Sequence, residues 1–175
     1  MTDRNFIFDA TRCTGCMACV VACQDQNDYL GDDAIAFRHV SSPVQAGPLE
    51  SGATALSVSC QHCVDGPCQL ACPMQAISRR PEDGTVIVER DMCVGCRSCE
   101  LACPIGAPQF PQDGRMAKCD LCYVRRDNGM SPACVNVCPT GALDFGSVRE
   151  ISQKMREKAS LRMMESMNNV SAVVN

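Results

Sequence analysis

Sixteen of the 175 residues are cysteine, and all sixteen fall into four groups of four. The groups are Cys13, Cys16, Cys19, Cys23; Cys60, Cys63, Cys68, Cys72; Cys93, Cys96, Cys99, Cys103; and Cys119, Cys122, Cys134, Cys138. No cysteine is left over. A 4Fe–4S cluster takes four thiolates, so the arithmetic calls for four such clusters. A chain that gives so much of itself to redox ligands reads as a conductor of electrons.

The rest of the composition agrees with a fold built around metal. There is no Trp, two Tyr and five Phe, which is poor material for a core of this length. Metal sites can replace part of that core, because binding at a site absent from the unfolded chain is folding free energy. Abundant cysteine also suits a secreted disulfide scaffold. The N-terminus, however, carries no apolar signal run and no twin arginine, and the short recurring spacings suit chelation. A cytoplasmic location is expected. The formal charge is −4, and clusters with their thiolates carry it to about −12, so no nucleic-acid surface is indicated. No run of about 18 apolar residues exists, so no transmembrane segment is expected.

Thiolates in a Cys-x-x-Cys loop wrap one cluster and aim backbone N–H groups at its sulfides. The last two cysteines of each group are four residues apart and share a helical face. In the bacterial two-cluster motif the fourth cysteine binds the other cluster. The run Cys93-Val-Gly-Cys96-Arg-Ser-Cys99-Glu-Leu-Ala-Cys103-Pro104 matches that motif in full. The first group has the spacing with Gln24 in place of proline; the second and fourth have longer gaps and end Cys72-Pro73 and Cys138-Pro139. Four Cys₄ zinc sites are the competing reading, but zinc modules favour separated Cys-x-x-Cys pairs.

Short strands are predicted at Phe6–Phe8, Ala34–Val40, Ala55–Val58, Ala76–Arg79, Val86–Glu89 and Ala142–Phe145. Pro81-Glu82-Asp83-Gly84 is a turn, so residues 76 to 89 form a hairpin joining groups two and three. Phe6–Phe8 can pair with Leu143–Phe145 across the whole chain. Residues 24 to 59 are an insertion broken by Gly31, Pro43, Gly47, Pro48 and Gly52; residues 105 to 118 are an irregular connector. Ser147 and Glu150 have capping-box spacing. Beyond them Val148, Ile151, Met155, Ala159, Met163, Met167, Val170 and Val174 mark one face of a helix. That face either packs on the protein's own body or docks another chain.

Three segments carry a family resemblance: Ser59–Pro73 with its Cys-Gln-His-Cys start, Asp91–Cys99, and Lys118-Cys-Asp-Leu-Cys-Tyr123 continued by Pro132–Leu143. Over roughly residues 5 to 146 the chain resembles the four-cluster iron–sulfur subunits of molybdenum and tungsten oxidoreductases, such as those of dimethyl sulfoxide reductase, thiosulfate reductase and formate dehydrogenase. The resemblance implies an α+β fold of two interleaved ferredoxin-like units. One unit spans 1–54 plus 105–146, the other 55–104, and a C-terminal helix 147–175 follows. It implies four ligand sets: Cys13, Cys16, Cys19 with Cys138; Cys23 with Cys119, Cys122, Cys134; Cys60, Cys63, Cys68 with Cys103; and Cys72 with Cys93, Cys96, Cys99.

The same resemblance implies a non-catalytic role. Electrons pass between a molybdenum or tungsten catalytic subunit and a second partner: a flavin/NAD subunit, a hydrogenase or a quinone-linked subunit. The compact form ending in a helix looks most like the small subunits of bacterial tungsten aldehyde oxidoreductases, which can stack into filaments. A freely diffusing polyferredoxin is the alternative. His62 is expected to pack or hydrogen-bond near a cluster, not to ligate iron. Arg97, Lys118, Arg125 and Arg126 are candidates to tune a potential or face a partner.

Overall fold

The computed structural model describes residues 4–31, 35–41 and 55–173, with side chains through 167. Among these residues the sheets are all antiparallel pairs. β1 (Arg4–Phe8) pairs with β6 (Leu143–Ser147), β2 (Arg38–Ser41) with β3 (Leu56–Ser59), and β4 (Ile77–Arg79) with β5 (Val86–Val88). Five short helices carry cysteines or adjoin them: α1 (Ala18–Gln26), α2 (Pro67–Leu70), α3 (Ser98–Ala102), α4 (Tyr123–Asp127) and α5 (Ala133–Asn136). A long helix, α6 (Val148–Val173), closes the described chain.

The pairing of the two ends is present as expected. Phe6 sits opposite Phe145, their rings edge-to-face at 5.5 Å, and Phe8 sits opposite Leu143. The 76–89 hairpin is also present, with Ile77 opposite Val88 and Arg79 opposite Val86. The β2–β3 pair sets Arg38 opposite Ser59; a strand is expected in each of the two segments, but nothing in the sequence signals their pairing. The strand expected over Ala34–Val40 begins only at Arg38: Ala34 lies outside the described residues, and Phe37 sits before the strand with its ring against Tyr29 at 5.5 Å.

No sheet supplies a conventional core. Instead three small clusters of buried side chains include cysteines. Cys19 and Cys134 pack with Val40, Ala55 and Leu143. Cys23 and Cys119 pack with Phe37, Ala117 and Leu121, with Cys60 at the edge. Cys99 packs with Ile77, Val86 and Met116, edged by Cys68, Cys72 and Cys93. Each of the three brings together cysteines from more than one sequence group.

The capping box at α6 is reciprocal. Glu150 Oε2 accepts the Ser147 N–H at 2.8 Å, and Ser147 Oγ accepts the Glu150 N–H at 3.3 Å. The helix is tied to the body by Lys154 on Asp144 at 2.6 Å and by Lys158 on Asp9. Beyond that anchor most of its apolar face is turned to solvent: Met155, Met163 and Met167 are 61–68% exposed. Only Ile151 of the described part of that face is half-buried. Packing of the whole face on the protein's own body is therefore not what α6 does; Val170 and Val174 lie outside the described side chains. Among the described residues no helix is long and apolar enough to cross a membrane.

Candidate functional site

Four cavities are each walled by four cysteines. The first is lined by Cys72, Cys93, Cys96 and Cys99. The second is lined by Cys60, Cys63, Cys68 and Cys103. The third is lined by Cys13, Cys16, Cys19 and Cys138. The fourth is lined by Cys23, Cys119, Cys122 and Cys134. All sixteen cysteines line one cavity each. No cavity takes its four from a single sequence group.

The short helices explain the exchange. A four-residue step along a helix rises about 6 Å, so it carries the chain from one cavity to the next. Cys19 and Cys23 lie on α1 and face the third and fourth cavities. α5 returns that crossing from Cys134 to Cys138. α2 and α3 do the same between the first and second cavities, with Cys68 to Cys72 and Cys99 to Cys103.

Local backbone geometry turns the loops around the cavities. The residue before the second cysteine has positive φ in every loop: Gly15, His62, Gly95 and Leu121. This left-handed turn suits glycine. At Gly95 there is a second reason, since a Cβ would lie 2.6 Å from the Gly114 carbonyl oxygen. Leu121 holds the strained conformation while buried beside Cys119 and Ala117.

Several donors point at the sulfurs. The N–H groups of His62, Ala107 and Met116 reach Cys60, Cys103 and Cys93 Sγ at 3.5, 3.4 and 3.3 Å. Cys96 Sγ is itself the donor to Ser98 Oγ at 3.5 Å, and the side chain and backbone of Ser98 lower that thiol's pKa. At Cys138 burial is outweighed by hydrogen bonds from the backbone and Thr140, which lower that thiol as well, whereas at six other thiols burial dominates. It pushes the Cys23 thiol up to about 12 and Cys99 to about 11, and raises Cys19, Cys68, Cys119 and Cys122. Metal binding at these sulfurs must therefore release protons.

Among the described residues no three His, Cys, Asp or Glu side chains converge on one metal ion. A single zinc needs its sulfurs within about 2.3 Å of one point. Thiols spread around a cavity fit a polynuclear group instead.

Of the basic residues singled out by sequence, two line cavities. Lys118 is buried in the wall of the second, its Nζ donating to the Val86 and Cys119 carbonyls. Arg97 edges the first, exposed and stacked on Phe110. Arg125 bonds Gln26 and Ser131, and Arg126 bonds Thr85 and Asp83; neither lines a cavity. Sequence reasoning missed Arg38. It is buried in the wall of the fourth cavity, donating to Ser57 and Ser59 Oγ at 3.1 Å and lying over the Phe6 ring. Only the unforeseen β2–β3 pairing could have marked it. His62 lies in the wall of the second cavity as expected. Burial, then Lys118, Arg126 and Arg79, pull its pKa down to about 2.

Comparison with known proteins agrees with this chemistry. Residues 53–148 match the model of the 4Fe-4S dicluster domain, and residues 6–26 that of the 4Fe-4S binding domain. The chain is 43% identical over 162 residues to the probable anaerobic dimethyl sulfoxide reductase chain YnfG of Escherichia coli (strain K12), covering 87% of this chain and 78% of that one. It is 40% identical over 163 residues to the thiosulfate reductase electron transfer subunit PhsB of Salmonella typhi, covering 91% and 84%. Identity to the hydrogenase-2 operon protein HybA of Escherichia coli O157:H7 is 33% over 181 residues, covering 89% of this chain and 55% of that protein. Four cysteine-walled cavities, two matching iron–sulfur domains and these relatives converge: the chain belongs to the 4Fe–4S dicluster family of ferredoxin-like, iron–sulfur electron-transfer subunits of oxidoreductase complexes.

Proposed function

We propose that the chain holds four 4Fe–4S clusters, one in each cysteine-walled cavity, and relays electrons along their row for a separate catalytic subunit. The ligand sets are Cys72, Cys93, Cys96, Cys99; Cys60, Cys63, Cys68, Cys103; Cys23, Cys119, Cys122, Cys134; and Cys13, Cys16, Cys19, Cys138. The observation that carries this reading is the composition of the cavities. Each cluster takes up and releases one electron at a time. The protein's own task is to fix the spacing, supply donors to sulfur and exclude water.

The order of sites follows from shared packing. Cys68 lies with Cys72, Cys93 and Cys99, which joins the second cavity to the first. Cys60 lies with Cys23 and Cys119, which joins the second to the fourth. Cys134 lies with Cys19, Cys13 and Cys138, which joins the fourth to the third. The sequence of sites is then first, second, fourth, third, with the two ferredoxin-like units interleaved through β1–β6 and the β4–β5 hairpin.

The partner is a catalytic oxidoreductase subunit that uses molybdenum or tungsten. Support comes from the relatives, whose names include dimethyl sulfoxide and thiosulfate reductases. They favour that kind of partner over a tungsten aldehyde oxidoreductase. The second partner accepts or supplies electrons at the other end, and a flavin/NAD subunit or a hydrogenase fits that role. Exposed apolar side chains stand at the first-and-second-cavity end, with Leu70 and Leu101 at 83% and 90% exposure. The exposed face of α6 stands at the other end, against the strands that wall the third cavity; a freely diffusing carrier would need neither apolar surface.

Anaerobically purified protein should contain close to sixteen irons and an equal amount of acid-labile sulfide, by about four of each per cluster. Cys138→Ala and Cys16→Ala should lose the same spectroscopic cluster. Zinc in place of iron, or different losses from the two variants, would refute the reading. Size-exclusion chromatography distinguishes a defined complex from a free monomer and from a concentration-dependent series of filaments.

A further inference from the structure

His62 has a nitrogen with nothing to bond among the described residues. Its ring is 7% exposed and lines the second cavity beside Cys60, Cys63, Cys68 and Cys103. Nδ1 accepts the Val86 N–H at 3.0 Å. An accepting nitrogen carries no hydrogen, so Nε2 carries the ring proton and is a donor. Nε2 is buried and has no partner. A buried donor left bare costs its full desolvation penalty. The residue also sits at φ +47°, a left-handed conformation that strains any residue with a Cβ.

Two of the three loops with the same turn use glycine there, and the third uses Leu121, whose apolar side chain packs in the core. Only the second loop places a hydrogen-bond donor at this position. Its backbone is braced by Arg79, which donates to the His62 carbonyl at 2.9 Å and to the Cys63 carbonyl. Lys118, in the same wall, can donate but not accept, and both its named bonds go to carbonyls. Gln61 is turned to the Ser59 carbonyl. The remaining side-chain heteroatoms on that wall are the four cysteine sulfurs.

We propose that His62 Nε2–H donates a hydrogen bond to a sulfur of the cluster held by Cys60, Cys63, Cys68 and Cys103, and so raises the reduction potential of that cluster alone. The proposal rests on the ligand set given above. Reduction adds one negative charge to the cluster, and a donor aimed at sulfur stabilises the reduced form more than the oxidised one. In a dry cavity the effect is stronger than in water. The Lys118 ammonium acts in the same direction. His62 is thus a positioning residue for electron flow, setting where an electron rests along the row.

His62→Asn separates the two roles of the ring. Asparagine tolerates positive φ, and its side-chain oxygen can still accept the Val86 N–H, but it ends short of the Nε2 position. His62→Gln carries an N–H further out. Potentiometric titration of the holoprotein, followed by electron paramagnetic resonance, reads each cluster. In His62→Asn one cluster should shift by about tenfold towards the oxidised form at a set potential, which is 59 mV for one electron. The affected cluster should be the one lost in Cys63→Ala, and His62→Gln should recover part of the shift.

Four retained clusters with unchanged potentials, or a shift in a different cluster, would overturn the proposal. Failure of the underlying ligand set looks different: Cys63→Ala and Cys103→Ala would then lose different clusters. Should His62→Asn lose its cluster, wild-type protein labelled with ¹⁵N-histidine gives the answer. Electron–nuclear double resonance should show one imidazole nitrogen and its exchangeable proton coupled to a single reduced cluster. Absence of that coupling would also overturn it.

Discussion

Gly15 and Gly95 occupy the same place in two cysteine loops, and alanine should be tolerated at one far better than at the other. Both have φ +70°, so alanine costs each about 1–2 kcal/mol in backbone strain. Their surroundings differ. A Cβ on Gly15 meets Ala55 Cβ at 3.4 Å, an ordinary contact. A Cβ on Gly95 meets the Gly114 oxygen at 2.6 Å, and the atom in the way is backbone. Relief requires moving Gly114, whose N–H is bonded to the Pro111 carbonyl at 2.9 Å. Its neighbours are pinned as well: Asp113 to Arg90 at 2.6 Å and Arg115 to Asp91 at 2.8 Å. Met116, two residues on, is 1% exposed and donates its N–H to Cys93 Sγ.

Forcing that turn aside adds about 1–3 kcal/mol of overpacking at Gly95. At roughly 2–4 °C per kcal/mol for a chain of this size, Gly95→Ala should melt about 2–12 °C below Gly15→Ala. The assay is the anaerobic thermal midpoint followed by cluster absorbance, with iron counted per chain. Iron should be lost first from the set containing Cys93. Equal midpoints for the two variants, or a larger loss from Gly15→Ala, would refute the reasoning.

Arg126→Leu should destabilise by about 1–3 kcal/mol, because it removes the 2.6 Å partner of the nearly buried Asp83 carboxylate and leaves it Arg80 at 3.6 Å and the Thr85 N–H; Asp83→Asn in the same background should restore part of the loss in thermal denaturation. The Asp9 carboxyl is held at about 2 by hydrogen bonds from Lys158 and Thr11. A depressed folded pKa stabilises above the unfolded value, so the α6 anchor is fully present above about pH 4 and weakens only as pH falls towards 2. The pair is partly exposed, so Asp9→Asn should cost under about 1 kcal/mol, read as faster tryptic cleavage at Lys158 that converges with wild type at high salt. Truncation after Ser147 keeps β6 whole and every cysteine; it should leave the iron content intact while releasing the protein from its complex, and a truncated protein that still co-purifies would move the dock to the cluster-bearing body. Cutting after Phe145 is less clean, since Gly146 and Ser147 pair with Asn5 and Arg4.

Features with a local code are legible in the sequence. Cysteine spacing, the Pro81–Gly84 turn and the Ser147–Glu150 box all act within a few residues, and each has its counterpart in the fold. The end-to-end pairing of Phe6 and Phe145 is legible because both strands flank cysteine groups. What escapes depends on distant partners. Arg38 reads as a surface cation until β2 meets β3 and brings Ser57 and Ser59 beneath it. His62 and Leu121 hold turns that sequence rules assign to glycine, and only the burial of their side chains offsets the strain. The apolar periodicity of α6 signals a helix, and a helix forms, yet periodicity cannot say whether a face is covered, and here it is not.

The cysteine sites and the hydrophobic core are one structure. A two-stranded sheet is marginal by itself in water, and each described sheet here has two strands of three to five residues. Each core cluster contains sulfurs from more than one cavity. With a cluster in each cavity, as we propose, stability is coupled along the row of sites. Removing the cluster from an end cavity frees the ligands of one site and disturbs one neighbour. Removing it from the second or fourth cavity disturbs neighbours on both sides, through Cys60 and Cys68 in one case and Cys23 and Cys134 in the other. Burial raises thiol pKa values at inner and end sites alike, at Cys23, Cys68, Cys119 and Cys122 and at Cys19 and Cys99, so any emptied site is recharged only against the release of protons. On the proposed ligand sets the inner sites, with neighbours on both sides, are where the fold depends most on its clusters.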